Sequence, residues 1–339
     1  MRGIICEEIE RFKLTEMEPP AFTAGEAIVR IKRVGICGTD LHAYKGNQPY
    51  FSYPRILGHE LAGVIERIED NDAGLRAGDQ VSVIPYLHCG DCIACRSGKT
   101  NCCVSMRVLG VHVDGGMREL ISVPIANLIK TNGLTLDETA IMEPLAIGAH
   151  AVRRSQLRAD ETALVIGAGP IGLGVMAFAK HLGAKVIAMD INDERLAFCR
   201  DWAGIDHAVN ALHDPAEQLA ALTGGDYPTA VFDATGNARS MMGALQYIAH
   251  GGRLVYVGLV KDEIGFPHPE FHKRETTLMG SRNATREDFD QVRLAIESGS
   301  IDASRYVTHR APFGEMIERF ESWLNPASKV IKAMVDMDE

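Results

Sequence analysis

Residues 161–190 read ETALVIGAGPIGLGVMAFAKHLGAKVIAMD, and this stretch decides the fold. Thr162–Ile166 is a short apolar run of the kind that forms a buried strand. It leads into Gly167-Ala168-Gly169-Pro170-Ile171-Gly172, a complete G-x-G-x-x-G. A helical pattern follows, with Pro170 at its start and Gly183 as its stop. A second strand, KVIAM, then ends in Asp190. The glycine pattern alone is a weak signal. Strand, glycine turn, helix, strand and acid in that order make a dinucleotide-binding turn. Gly167 permits the tight turn, Gly169 lets the backbone approach a pyrophosphate, and Gly172 allows close helix–strand packing. The helix N-terminus supplies the positive dipole end for the phosphates. Asp190, 18 residues beyond Gly172, suits the ribose hydroxyls and predicts NAD over NADP. Arg195 is the residue that would pair with a 2′-phosphate instead, and it is expected well into the next helix.

Outward from this turn the pattern continues. A helix, NDERLAFCRDWAG, is followed by strands at HAVN, TAVFDA, RLVYVG and TTLMG. Alternating helices and continuously apolar strands predict an α/β, doubly wound parallel sheet covered on both faces. Asp233, Gly236 and Gly258 fall at strand ends, where ligands sit in such sheets. Near Ser281 the alternation stops. Helices are expected from about Thr285 and Phe313, and a last strand at KVIKAMV. The first ~150 residues read differently, as short strands broken by Gly and Pro: AIVRIKRVGI, LAGVIERI, QVSVIP and RELISVP.

That β-rich part holds HCGDCIACRSGKTNCC, residues 88–103, with five of the chain's eight cysteines. Cys89, Cys92 and Cys95 are spaced C-x2-C-x2-C, and Cys103 follows. Four thiolates suit a closed, structural tetrahedral zinc; an iron–sulfur cluster is the rival occupant. Cys102 reads as a bystander, and Cys6 and Cys199 as buried apolar-like residues. Formal charge is −10, from 35 basic and 45 acidic residues, so no basic surface for nucleic acid or anionic membrane is expected. The N-terminus fits neither a signal nor a transit peptide, and no apolar run is long enough for a membrane helix. A cytoplasmic setting is the expectation, and there thiols stay reduced.

Four further residues are ligand-capable: Cys37 in GICGTDLH, His59 and Glu60 in GHELAG, and Glu143 in MEPLA. With the four-cysteine loop and GAGPIG in the same order, these motifs resemble the zinc-dependent medium-chain dehydrogenase/reductase family. The glutamate in EPLA is similar to its polyol branch, which includes sorbitol and threonine dehydrogenases. The resemblance covers essentially the whole chain. It implies a β-rich, GroES-like catalytic domain over residues 1–148, with 285–339 returning to it, and a Rossmann domain over 149–284. It also implies two zinc ions per chain, one structural and one catalytic, the latter in a cleft between domains. Residues matching Cys37 and His59 would hold the catalytic zinc, with Glu60 or Glu143 as the acidic third ligand. Asp40 matches a carboxylate that fixes the His59 tautomer. Glu69 is a departure, standing where the family usually has glycine.

The activity implied is reversible oxidation of a secondary alcohol by hydride transfer to NAD. Thr39 matches the hydroxyl that passes the proton on, and His42 the imidazole that delivers it to solvent. Ser281 and Arg282, in GSRNA, match the segment near the nicotinamide. Arg282 either steers a substrate group or is a surface arginine, and His112 in LGVHVDGG is a further pocket candidate. Small-molecule polyols, sugar acids such as galactonate, and hydroxy amino acids are the substrate classes. A homodimer or homotetramer is implied, with no nucleic acid or membrane partner. The rival reading is a non-catalytic, NAD-responsive regulator that keeps the fold.

Overall fold

The computed structural model describes residues 1–338. The chain divides into two compact units, Met1–Glu143 with Thr285 onward, and Pro144–Ala284.

The first unit is built on the strand Glu26–Ile36. Its β-branched, alternating residues bury Ala27, Val29, Ile31 and Val34. It pairs antiparallel with Glu60–Arg67, with Leu120–Pro124 and with the C-terminal strand Ala333–Asp336. Gln80–Val83 and Leu128–Lys130 extend one side of this sheet, and His309–Pro312 the other. An N-terminal hairpin, Arg2–Glu8 with Arg11–Glu16, forms a separate small sheet that the sequence reading did not anticipate. The helix Met316–Leu324 closes the core by burying Met316, Phe320 and Trp323, one side of a 3.6-residue period. Each such burial contributes roughly 1.5–3 kcal/mol. The exposed Arg319–Glu315 pair on the same helix is worth a few tenths at most. Burial therefore holds this helix.

The second unit is a six-stranded parallel sheet. Its order is His207–Asn210, Lys185–Asp190, Thr162–Ile166, Ala230–Asp233, Arg253–Tyr256 and Thr277–Gly280. That is the doubly wound order 3-2-1-4-5-6, whose reversal lies beside the first strand. The helix Pro170–Leu182 follows that strand and ends at Gly183 in the left-handed region, φ 96°. Three helices absent from the sequence reading complete the alternation, Pro215–Leu222, Ala238–Gly243 and His268–Lys273.

Three local expectations are revised. The last strand is Ala333–Asp336 rather than all of KVIKAMV, because Lys329 is left-handed (φ 53°) and residues 330–332 lie outside the ladder. Arg195 stands in the first turn of the helix Asp193–Ala203, not deep within it, since Asn192 caps that helix through its side chain. Glu69 needs no glycine, since its φ is not positive; its carboxylate accepts the Gly25 N–H at 2.6 Å. Among the described residues no helix is long and apolar enough to cross a membrane.

Candidate active site and metal centres

Cys37 is the N-cap of the helix Gly38–Tyr44. Asp40, in the first turn, accepts the Cys37 N–H at 2.9 Å through Oδ2 and the Gly58 N–H at 3.2 Å through Oδ1. One buried carboxylate thus fastens the Cys37 segment to the one that delivers His59. The segment 56–58 is also locked to a glycine turn by Gly115 N–H to Ile56 O, Gly116 N–H to Gly58 O and Met117 N–H to Leu57 O. A Cβ on Gly115 would lie 2.2 Å from Gly58 O, so the sequence VDGGM is required for this approach. The strand Glu60–Arg67 then sets Glu60 opposite Gly35. Any side chain at Gly35 would strike Glu60, its Cβ falling 2.1 Å from Oε2.

The result is a cluster in which one ligand atom each from Cys37, His59 and Glu60 lies within 4.8 Å of the others. His59 is 5 % exposed and Glu60 fully buried. Glu60 Oε1 takes an ion pair from the buried Lys332 Nζ at 2.5 Å, while Oε2 is buried with no hydrogen-bond partner. Glu143, in the first turn of the helix Met142–Ser155, accepts a hydrogen bond from Tyr86 through Oε1, and its Oε2 is likewise unpartnered. Burial pushes the Glu143 carboxyl up to about 7, against the opposing pull of His59. Burial alone would lower the His59 pKa, but Asp40 and Cys37 carry it well above the ordinary imidazole value. Buried carboxylates and a thiol thus outnumber the one lysine, and buried charge of this kind is neutralised by pairing or by a metal. A zinc ion fits these donors: thiolate, imidazole and a carboxylate oxygen with nothing else to bind.

Asp40 is less than the sequence reading expected. Its Oδ1 lies 3.7 Å from His59 Nδ1, an electrostatic contact and not a hydrogen bond, because that oxygen is turned to the Gly58 N–H. Thr39 is half-buried and His42 exposed, three residues apart on one helix and so on one face. His112 accepts the Val108 N–H on Nδ1 at 3.1 Å, and the exposed Tyr50 ring stacks on it at 6.2 Å. Lys332 and Tyr86 were missed. Only Lys332 left a trace in sequence, as a lone charge inside an apolar run.

The second cluster is Cys89, Cys92, Cys95 and Cys103, all within 4.8 Å. Sulfur–sulfur distances of 3.5, 3.5 and 4.0 Å rule out disulfides and match the roughly 3.8 Å edge of a tetrahedron with 2.3 Å zinc–sulfur bonds. Backbone N–H groups of Cys95 and Val104 bring the Cys92 thiol down to about 6, which favours the metal-binding thiolate. Cys102 is exposed and outside the cluster, and Cys6 and Cys199 are fully buried.

In the second unit Gly167 has φ 101°, and a Cβ on Gly172 would lie 1.8 Å from Gly167 O. Gly169 differs. Its Cβ would meet no atom nearer than Arg195 Nη1, at 4.0 Å, so the backbone there is open to close approach. That is the fit expected for a pyrophosphate. Asp190 accepts the Ala168 N–H at 2.7 Å and the Asn192 N–H at 2.9 Å, one on each oxygen, with further acceptor capacity on both. Asp233 is fully buried and accepts from Thr235 and Ser240, tying down the next strand end. A Cβ on Gly258 would lie 2.4 Å from Gly236 N. Ser281 Oγ, just past the last strand, is buried without a hydrogen-bond partner, and Arg282 is exposed.

Comparison with known proteins agrees with this geometry. Residues 23–133 match the alcohol dehydrogenase GroES-like domain, and residues 170–298 the zinc-binding dehydrogenase family. L-galactonate-5-dehydrogenase of Escherichia coli K12 is 45% identical over 335 residues, covering 99% of this chain and 98% of the relative. L-threonine 3-dehydrogenase of Bacillus subtilis is 31% identical, covering 91% and 90%. Among solved structures, an Escherichia coli CFT073 alcohol dehydrogenase in complex with NADH superimposes with a TM-score of 0.92 at 30% identity, covering 99% of each chain.

Proposed function

This chain belongs to the zinc-dependent medium-chain dehydrogenase/reductase family, and on that premise we propose that it oxidises a secondary hydroxyl of an open-chain sugar acid of the L-galactonate class, with NAD as hydride acceptor. The enzyme class, a zinc-type dehydrogenase of polyols or sugar acids, follows from the family and its relatives. The observation that carries the site is the Cys37–His59–Glu60 donor set with an unclaimed carboxylate oxygen. Zinc there supplies Lewis acidity that lowers the pKa of the substrate hydroxyl, and NAD supplies the hydride acceptor.

The chain's own residues do the rest. Cys37, His59 and Glu60 hold the catalytic metal, and Glu143, steadied by Tyr86, faces it as a second carboxylate. Glu60 is taken as the third ligand because its oxygen, unlike those of Glu143, belongs to the close cluster. Thr39 accepts the hydroxyl proton, and His42, exposed on the same helix face, passes it to solvent. The alcohol loses this proton and a hydride, giving a ketone and NADH. Asp190 holds the adenosine ribose hydroxyls, and the turn Gly167–Gly172 the pyrophosphate. Gly258 and Ser281 are assigned to NAD, and His112 is carried as a candidate substrate contact; Arg282, which is exposed, either steers a substrate group or is a surface arginine. Cys89, Cys92, Cys95 and Cys103 hold the structural zinc. A cytoplasmic setting accords with eight unpaired cysteines, and a homodimer or homotetramer completes the reading.

The regulatory alternative is not favoured, since the whole-chain relatives are dehydrogenases and the chain keeps the metal donors together with Thr39 and His42, the residues proposed for the proton path. The test is a panel of L-galactonate, other aldonates, alditols and L-threonine with NAD or NADP, following NADH formation. Turnover of aldonates with NAD, at least about tenfold better than with NADP, is expected from a carboxylate at Asp190. Preference for NADP, or for L-threonine, would overturn the corresponding half of the proposal.

A further inference from the structure

Lys332 is the most deeply buried cation in the described first unit, 1 % exposed, and no step of the chemistry above uses it. It arrives from the far end of the chain. The strand Ala333–Asp336 pairs antiparallel with Glu26–Ile36, Ala333 opposite Ile36. The register brings Lys332 beside the strand end that leads into Cys37. Its Nζ donates to the Ile36 carbonyl at 3.1 Å and to Glu60 Oε1 at 2.5 Å. Ile36 immediately precedes Cys37, and Glu60 immediately follows His59. One ammonium group therefore grips both segments that carry the three donors. Thr308 fixes the approach of this lysine, its N–H donating to Lys332 O and its Oγ1 accepting the Ile331 N–H.

We propose that Lys332 is a positioning residue which completes the catalytic metal site from the position just before the C-terminal strand, holding one oxygen of Glu60 so that the other is presented to the metal. The inference rests on the metal-site reading above. Its physical basis is that an ionised carboxylate in a dry interior turns toward whatever cation is nearest. With Gly35 below it, Glu60 has no side chain of its own strand pair to lean on. Lys332 satisfies Oε1 and, by binding the Ile36 carbonyl as well, fixes where that oxygen sits relative to Cys37. Metal retention thereby depends on the residue that leads into the C-terminal strand, although that residue is not itself a ligand.

The test compares wild type, Lys332→Met, Lys332→Gln and Lys332→Arg in the full chain. Metal content per chain is measured after timed dialysis against a chelator, and the visible d–d bands are recorded after cobalt replaces zinc. Wild type should retain two metals. Lys332→Met should keep the four-cysteine metal, an internal sign of folding, and release the other at least about tenfold faster. Lys332→Gln keeps an uncharged donor, so it should fold even where Lys332→Met does not, with shifted cobalt bands and weaker retention. Lys332→Arg should recover most of the retention. Wild-type release rates and cobalt bands in both Lys332→Met and Lys332→Gln, or in Lys332→Gln alone where the methionine variant does not fold, would overturn the proposal. A wild-type chain that holds only the four-cysteine metal would instead bring down the metal-site reading beneath it.

Discussion

Glu60 and Glu143 are the same residue type, both buried, and the sequence offers no ground for choosing between them as ligands. Their hydrogen bonds separate them. Glu60 gives one oxygen to Lys332 and contributes a carboxylate oxygen to the Cys37–His59 cluster, whereas Glu143 accepts from Tyr86 and lies outside it. Such distinctions come from partners distant in sequence, 272 residues away for Lys332, and no local motif encodes them. Thr39 is the opposite case. It is proposed from GICGTDLH alone, and the proton-carrier role proposed for it gives a clean expectation. Replacing it with Ala should lower kcat by about 100-fold or more, while metal content and thermal midpoint stay near wild type. Turnover within a factor of three would remove Thr39 from the proton path.

At the scale of elements, the four-cysteine loop folds around its own short segments, a helix Ile93–Arg96 and a single turn at Thr100–Cys102. Ile93 and Val104 point outward, 68 % and 76 % exposed, so apolar burial does little to hold the loop. The metal has to hold it. Cys103→Ser should therefore remove one zinc per chain and lower the thermal midpoint by more than about 5 °C. The Cys37 metal should remain bound, because its donors stand on other strands. Full retention of both metals would contradict this assignment. The dinucleotide turn shows why some elements could be read directly. Gly167 and Gly172 are required by contacts within five residues of each other, so the pattern and the geometry are the same information. The helix Pro215–Leu222 went unread although Asp214 and Pro215 stand at its start; in the structure Asp214 is left-handed and makes no side-chain cap.

For the whole molecule, the returning C-terminal segment is secured partly by charge. Burial would raise the Asp137 pKa, but Arg310 and then Arg33 hold it below the usual carboxylate range. Arg33 lies 3.3 Å from Asp137 and 2.7 Å from Asp336, so one network joins the helix Leu136–Ala140 to the strands Glu26–Ile36 and Ala333–Asp336. A carboxyl with a depressed folded pKa stabilises fully above its unfolded value, about 3.9, and that contribution fades as pH falls through the folded value. Asp206, held down by the Val186 N–H and Lys180 despite partial burial, acts in the same direction. The thermal midpoint should therefore fall as pH drops below about 4, and Asp137→Asn should flatten that fall. An equal acid slope in the variant would exclude Asp137 as a contributor.

Sequence by itself determined the two kinds of architecture, the dinucleotide turn and the set of metal-capable side chains. Each is written in short-range spacing, where backbone sterics and hydropathy act within a few residues. Tertiary structure alone decided which carboxylate joins the cluster, that Asp40 serves the backbone more than His59, and that a lysine near the C-terminus secures the centre. These depend on which atoms meet after strands from opposite ends of the chain pair in one sheet. In a dry interior a buried charge is governed by its nearest partner, and that partner is known only once the chain has folded.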